Sequence, residues 1–598
     1  MINSNGLNEA ETPKSILIKY SPQFLIVGII LLFYIHNLWF DFTYIDDNLI
    51  VFDEYEKINS LFDIPSTFVN GYLYDNYYRP IVMTSFIIDT AIAGQSSMMY
   101  HLTNIILHII VSLLLFKILT KIGFNDKVSL ITTLIFAIHP LNTNAVSWIV
   151  GRNDLLLAVF AVGSLYFYLR YRETRSNFYF SLSLIAYFFA MLSKEAGILV
   201  PVIILLFEII HNENKSIKWN RIYLLLYFFI PAIVYFCLRS FVASINVREE
   251  ISFNSFIQNI YILFEYLAKT GYFLYIDPLP NKNTTLILIG SLLLVLLITY
   301  TILNRKDNRI RIFMFGFLMF LIIVLPTLFV RVNADDGEFN YIDCRMYLPL
   351  FGIMISYAVI IEKIFVSLSK PVIIVLGTSI FIYLSLFTFL NNQVYKSGLT
   401  YWSAAIEKNP QRATYWMGLG FYYFDNKMYD KAIHCAENAI RIKPENTEYY
   451  YKAALAFETT GDLIKANDVL ERSINIDKDN PVTVVNLIKN YLKLGKKVKA
   501  DVWLSKFLAI DLKSKREKAD LTSALAYYYA QAKEFNIAIK FMKIAIDVFP
   551  DNAGYNNDLG VFYVKNGIPD SAKIYFEKAI AKDSININYK KNLKTINN

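Results

Sequence analysis

Cysteine is nearly absent: Cys237, Cys344 and Cys435 are the only three in 598 residues. They stand in an apolar run, a loop and a polar helical segment, and make neither a disulfide framework nor a metal cluster. Charge is scarce too. Asp, Glu, Lys and Arg supply 18% of the chain, where a soluble domain has about 25%. No zinc motif, glycine-rich phosphate loop or Ser-His-Asp phrase occurs, which argues against a metal site and against a nucleotide-sugar donor. A cleavable signal is also missing. The first apolar run, about 24–40, has no small-residue cleavage site and is expected to stay as an anchor. The net charge of +8 is modest, and basic loops beside a membrane account for it without nucleic acid.

What abounds is apolar sequence, 55% of the chain, and aromatic residues are 16% of the chain. It fills the first two-thirds and fades after about residue 395. A helix needs about 20 apolar residues to cross the hydrocarbon. Eleven candidate spans satisfy or approach this, near 24–40, 101–120, 128–147, 154–170, 177–192, 197–210, 221–243, 284–303, 310–330, 346–365 and 371–391. The sixth is short, and the third contains His139 and Pro140. Alternate connections hold seventeen basic residues: Lys14, Lys19, Lys117, Lys121, Lys127, Arg170, Arg172, Arg175, Lys215, Lys218, Arg221, Arg305, Lys306, Arg309, Arg311, Lys363 and Lys370. The positive-inside rule places these and the N-terminus in the cytoplasm. The other face then receives Asp46, Asp47, Arg79, His139, Arg152, Asp154, Lys194, Glu195 and Arg345. That shared side is the reason to read them as a site.

From about residue 396 a 34-residue period appears. One copy carries Trp416, Leu419, Gly420, Tyr423, Ala432, Ala436, Ala439 and Pro444, and four more follow from Thr447, Pro481, Ala519 and Ala553. This is the tetratricopeptide pattern, a helical solenoid whose concave face takes extended polypeptide. Ser397–Pro410 reads as a lone second helix joining the last span to the stack. The expected fold is all-α: a polytopic membrane bundle over 1–395 and an extracytoplasmic solenoid over 396–598.

The outer-face residues lie in the phrases YIDDNLI (44–50), YYRPIVMTSFIID (77–89), YHLTNIILHII (100–110), FAIHPLNTNAVSWIVGRNDLL (136–156), AMLSKEAGILVP (190–201) and DCRMYLPLFGI (343–353). With the repeats, their order and spacing resemble the transmembrane and tetratricopeptide-repeat-containing O-mannosyltransferases, a family similar to the multi-span GT-C glycosyltransferases. The resemblance implies transfer of a sugar, mannose or a similar one, from a polyprenyl or dolichyl phosphate to a protein Ser or Thr hydroxyl, with inversion. The lipid-linked sugar is then the donor substrate, membrane lipid and the acceptor polypeptide are the partners, and no other cofactor is expected. The chain departs from the family pattern at Asn144, where glutamate is common and which cannot act as a base, and at Asp343-Cys344 before Arg345, where Glu-Arg is common.

Such chemistry needs a carboxylate to take the acceptor's proton and cations to answer the phosphate as the glycosidic bond breaks. Asp46 or Asp47 is the expected base, Asp46 slightly preferred, with Glu195 a further catalytic carboxylate. Arg79, His139, Arg152, Asp154, Lys194 and Arg345 are the expected donor-binding residues. Arg152 and Asp154 are two apart on one helix and do not face each other. Asn76, Tyr77 and Tyr78 suit sugar stacking and hydrogen bonding, and His101 and His108 read as structural. Two other functions compete: an inactive membrane-anchored scaffold, which Asn144 favours, and a transporter, which the gathering of charge at one face disfavours. A prokaryotic plasma membrane is preferred over the endoplasmic reticulum, on the end of the chain after five repeats.

Overall fold

The computed structural model describes residues 13–47, 50–51, 58–71, 77–211, 223–242, 250–273, 278–331, 343–512, 514–584 and 586–597. Asn48, Leu49, Asn76, Lys215, Lys218 and Arg221 lie outside them. The chain divides into two compact units, Met1–Lys408 and Asn409–Asn598.

The first unit is helical apart from an antiparallel bridge that pairs Glu250–Ile251 with Val330–Arg331. Among the described residues seven helices are long and apolar enough to span: Tyr20–Trp39, Ser97–Lys121, Ile149–Thr174, Thr284–Leu303, Ile310–Phe329, Asp343–Ser367 and Lys370–Val394. Leu288 and Ile374 on them are 66% and 65% exposed, whereas Asp89, Arg152 and Asp343 are buried. Apolar outside and charged inside is the pattern of a chain whose solvent is lipid. The protein is a multi-pass membrane protein.

Among the described residues, then, seven of the eleven expected spans have that length, and the others are shorter or broken. The candidate at 128–147 is broken: helix Asp126–Ala137 stops before Pro140, and a six-residue helix, Asn142–Ser147, follows. Proline lacks an N–H and restricts the residue before it. The Asn142 amide donates to the Phe136 carbonyl at 2.6 Å, satisfying an acceptor the helix end leaves open. The candidate at 197–210 is a 3₁₀ turn, Glu195–Leu199, and an 11-residue helix, Val200–Ile210, too short to cross alone. Asn177–Ser193 and Leu225–Phe241 are shorter apolar helices, and so is Pro80–Ala93, which was not read as an apolar segment from the sequence.

Helix Phe253–Lys269 is amphipathic in the inverted sense. Phe253 and Ile257 face outward while Ser255, Asn259, Glu265 and Lys269 are buried. Ser252 accepts from the Ser255 N–H at 3.1 Å, and the Asn259 amide donates to the carbonyls of Leu328 and Val330. Gly290 brings the next helix against it, since a Cβ there would stand 1.8 Å from the Phe264 carbonyl oxygen. Helix Gly398–Lys408 sits in the first unit. The Gly398 N–H donates to the Phe42 carbonyl at 2.9 Å, and the Tyr401 hydroxyl to the Pro278 carbonyl at 3.1 Å.

The second unit is five helix pairs and a closing helix, Ile587–Asn597. First helices begin at Ala413, Thr447, Pro481, Lys515 and Ala553, and second helices at Tyr429, Leu463, Lys497, Phe535 and Pro569. From the second pair onward each first helix has a side-chain cap, from Asn446, Asn480, Ser514 and Asn552 in turn. Asn and Ser are strong caps because their short side chains accept from the open N–H groups of the first turn. Between the helices of each pair one residue is left-handed: Lys427, Gly461, Gly495, Lys533 and Gly567. Ala436, Ala439, Ala453, Ala466, Leu470 and their counterparts are buried in one core along the stack.

Candidate active site

The loop after the first span holds the two aspartates in different states. Asp47 is fully buried and tied down: its carboxylate accepts from the Thr43 N–H at 2.5 Å, the Thr43 hydroxyl at 3.1 Å and the Ile45 N–H at 3.2 Å. Burial raises its carboxyl above the usual range against the pull of those bonds. Asp46 is half-buried, and burial, then the neighbouring Asp47, pushes its carboxyl up to about 6. The loop is moored by the Asp41 N–H to the Lys396 carbonyl and by the Ser97 hydroxyl to the Phe40 carbonyl. Asp47 thus shapes the loop that presents Asp46.

Arg79, just before helix Pro80–Ala93, forms a two-point pair with Glu195, Nη2 to Oε2 at 2.9 Å and Nε to Oε1 at 3.3 Å. Its guanidinium lies 4.4 Å above the Tyr77 ring. Burial pushes the Glu195 carboxyl up, but Arg79, the residue's own N–H and Lys194 together hold the group below its ordinary value. The preceding residue, Lys194, places its ammonium 2.7 and 2.8 Å from the two oxygens of Asp154. The buried Cys344 thiol lies near the same carboxylate, with Lys194 and Arg345 also close to it. Arg345 also lies near the Tyr266 phenol. Among the described residues the Arg345 guanidinium has neither a hydrogen-bond acceptor nor an ion-pair partner. Residues from 79, 154, 194–195 and 344–345 therefore meet, although up to 266 positions separate them.

Two expected donor-binding residues are otherwise engaged. Arg152 is fully buried and points away from Asp154. It pairs with Asp89 at 2.6 Å and donates to the Tyr100 carbonyl at 2.8 Å, Asn104 Oδ1 at 3.0 Å and Ser85 Oγ at 3.3 Å. Its guanidinium stacks on Phe86 at 4.4 Å. That makes it a strut between three helices. His139 is buried with both nitrogens in use: Nδ1 accepts from the Leu141 N–H and Nε2 donates to the Thr270 carbonyl, each at 3.3 Å. It secures the break at Pro140. His108 bridges the Tyr347 hydroxyl at 2.6 Å and the Ala137 carbonyl at 3.0 Å.

Three residues near the cluster had no role in the sequence reading. Lys269 and Asp343 form a buried pair at 2.8 Å. Glu265, on the same helix as Lys269, accepts from the Asn283 N–H at 2.6 Å, and burial raises it to about 7. A carboxylate on the buried side of an inverted amphipathic helix was the available signal.

Fold and site together define a multi-pass helical membrane protein with a tetratricopeptide solenoid and a charged cluster built from its interhelical loops. Residues 79–236 match the family described as dolichyl-phosphate-mannose-protein mannosyltransferase. Residues 413–446 and 447–480 each match a tetratricopeptide repeat family. A protein O-mannosyl-transferase of Caenorhabditis elegans is 24% identical over 384 residues, 61% of this chain and 54% of that protein. The protein O-mannosyl-transferase TMTC1 of Homo sapiens is 34% identical over 24% of this chain and 17% of its own length. TMTC3 of Homo sapiens is 29% identical over 32% and 22% respectively. The chain spans about half, or less, of these curated relatives. The family resemblance read from the phrases is the one that these matches return.

Proposed function

We propose that the first unit transfers a sugar, mannose or a similar one, from a polyprenyl or dolichyl phosphate to Ser or Thr hydroxyls of polypeptide. The observation that carries this reading is the Arg345 guanidinium, without an acceptor among the described residues, beside the Lys194–Asp154 pair. A fixed cation pair in a water-poor site answers the charge that grows on a departing phosphate. Arginine's planar fork suits phosphate oxygens. The mannosyltransferase match, 79–236, contains Arg79, Asp154, Lys194 and Glu195.

In this reading Asp46 takes the acceptor proton, Asp47 orients the loop, and Arg345 with Lys194 holds the donor phosphate. Asp154 sets the Lys194 ammonium, Arg79 and Glu195 line the approach beside Tyr77, and Arg152 and His139 keep the surrounding helices in register. The lipid-linked sugar is the only cosubstrate invoked. The N-terminus is cytoplasmic and the repeats are extracytoplasmic, in a prokaryotic plasma membrane or, with the same sidedness, the endoplasmic reticulum. The repeats present the acceptor polypeptide.

The test is transfer from a radiolabelled polyprenyl-phosphate mannose to a Ser/Thr-rich peptide by the purified chain. Activity that is lost in Asp46→Asn and in Arg345→Gln supports the reading. A wild type that binds the peptide yet transfers nothing would make the protein a membrane-anchored scaffold.

A further inference from the structure

The Lys269–Asp343 pair is buried on both sides, each side chain 1% exposed, with both carboxylate oxygens within 2.9 Å of the ammonium. Two charges removed from water commonly lose more than their attraction returns, so the pair is poor evidence of a stabilising role. Its place in the chain says more. Asp343 opens the turn Asp343–Met346, and Lys269 closes helix Phe253–Lys269. The next residue, Cys344, is buried near Asp154, which takes Lys194. Residue 343 is thus tied to one helix and 344 is buried near another, and 345 is the first side chain of the turn left for a ligand.

We propose that Lys269 and Asp343 are positioning residues, which lock this turn so that the Arg345 guanidinium stands beside the Lys194 ammonium as the second cation for a lipid-linked phosphate. The proposal rests on the donor reading above for the ligand, but not for the lock. A turn anchored at 343 and buried at 344 leaves Arg345 little freedom, and a preorganised donor loses less entropy on binding than one that must be gathered from solvent. Glu265, near both Lys269 and Asp343, lies on the same buried face.

The experiment uses the full chain with Cys237→Ser and Cys435→Ser, so that the buried Cys344 is the sole thiol. Asp343→Asn, Asp343→Glu, Lys269→Met and the apolar pair Lys269→Met with Asp343→Leu are compared by maleimide labelling and by melting temperature. The apolar pair covers the case in which a lone buried charge prevents folding. Binding of decaprenyl phosphate, against decaprenol, is measured in phosphatidylcholine nanodiscs. The expected result is labelling about tenfold faster and decaprenyl phosphate bound about tenfold more weakly in the apolar pair, the scale of one charge-assisted hydrogen bond, with melting retained. Asp343→Glu restores both. In an Arg345→Gln background the apolar pair causes no further loss of binding, as two residues acting through one contact require. Unchanged labelling in a folded variant, or losses that add to that of Arg345→Gln, overturns the proposal. If the wild type binds decaprenyl phosphate no better than decaprenol, the donor reading fails. Faster Cys344 labelling would then still establish the lock.

Discussion

At the scale of single residues, the Asp46–Asp47 pair shows how position divides the work of two identical side chains. Asp47 is fully buried and already accepts three hydrogen bonds from Thr43 and Ile45, which bind it to its own loop. Asp46 has a carboxyl raised to about 6 by burial and by its neighbour. A base must be deprotonated to act, so kcat/KM is expected to climb as pH rises through about 6, and the climb should be missing from any residual activity of Asp46→Asn; a pH–rate profile of both decides it. Asp47→Asn removes a loop constraint instead, and should lower kcat with the pH limb kept in place. Arg345→Lys preserves charge but not the fork, and is expected to weaken donor binding by about 10-fold, read as a rise in donor KM. The sequence made part of this residue chemistry visible. Helical geometry alone separated Arg152 from Asp154, and the structure gives them different partners, Asp89 and Lys194. Asp89 closes one of the quoted phrases but was given no role. The Lys269–Asp343 pair was invisible because partners 74 positions apart leave no periodic trace.

At the scale of elements, the repeats were legible and the spans only in part. A 34-residue period is a local signal repeated five times, and four of its helix pairs begin at the expected Ala413, Thr447, Pro481 and Ala553, while the fourth pair, expected from Ala519, begins a turn earlier at Lys515. Span assignment instead counts apolar residues, and cannot see that Pro140 ends one helix and starts another turn. The five helix–helix turns of the solenoid share a left-handed residue, which is lysine at 427 and 533 with φ of 59° and 62°. Glycine adopts that conformation without the strain a Cβ brings. Lys427→Gly and Lys533→Gly are each expected to stabilise the full chain's repeat unit by about 0.5–1 kcal/mol, checked by its melting transition. The reverse holds at Gly290, where a Cβ would collide with the Phe264 backbone. Gly290→Ala must push two helices apart. It is expected to cost about 1–3 kcal/mol and to speed proteolysis after the Phe253–Lys269 helix.

At the scale of the whole molecule, the proposed function makes one demand on topology. The loop with Asp46, the turn with Arg345 and the tetratricopeptide unit must face the same compartment. Cysteines introduced at exposed sites beside each, scored with a membrane-impermeant maleimide on intact vesicles, should label together, while one placed in the basic connection near Arg305 should be protected. Separate labelling of the Asp46 and Arg345 regions would end the case for a shared pocket.

The guanidinium of Arg152 has a mechanical consequence. It clamps Ser85, Asp89, Tyr100 and Asn104, which belong to two helices, onto the start of a third. Those three are therefore expected to move as a single slab. Under the proposed donor, a gap for an isoprenoid tail is then expected along the periphery of that slab rather than through its centre.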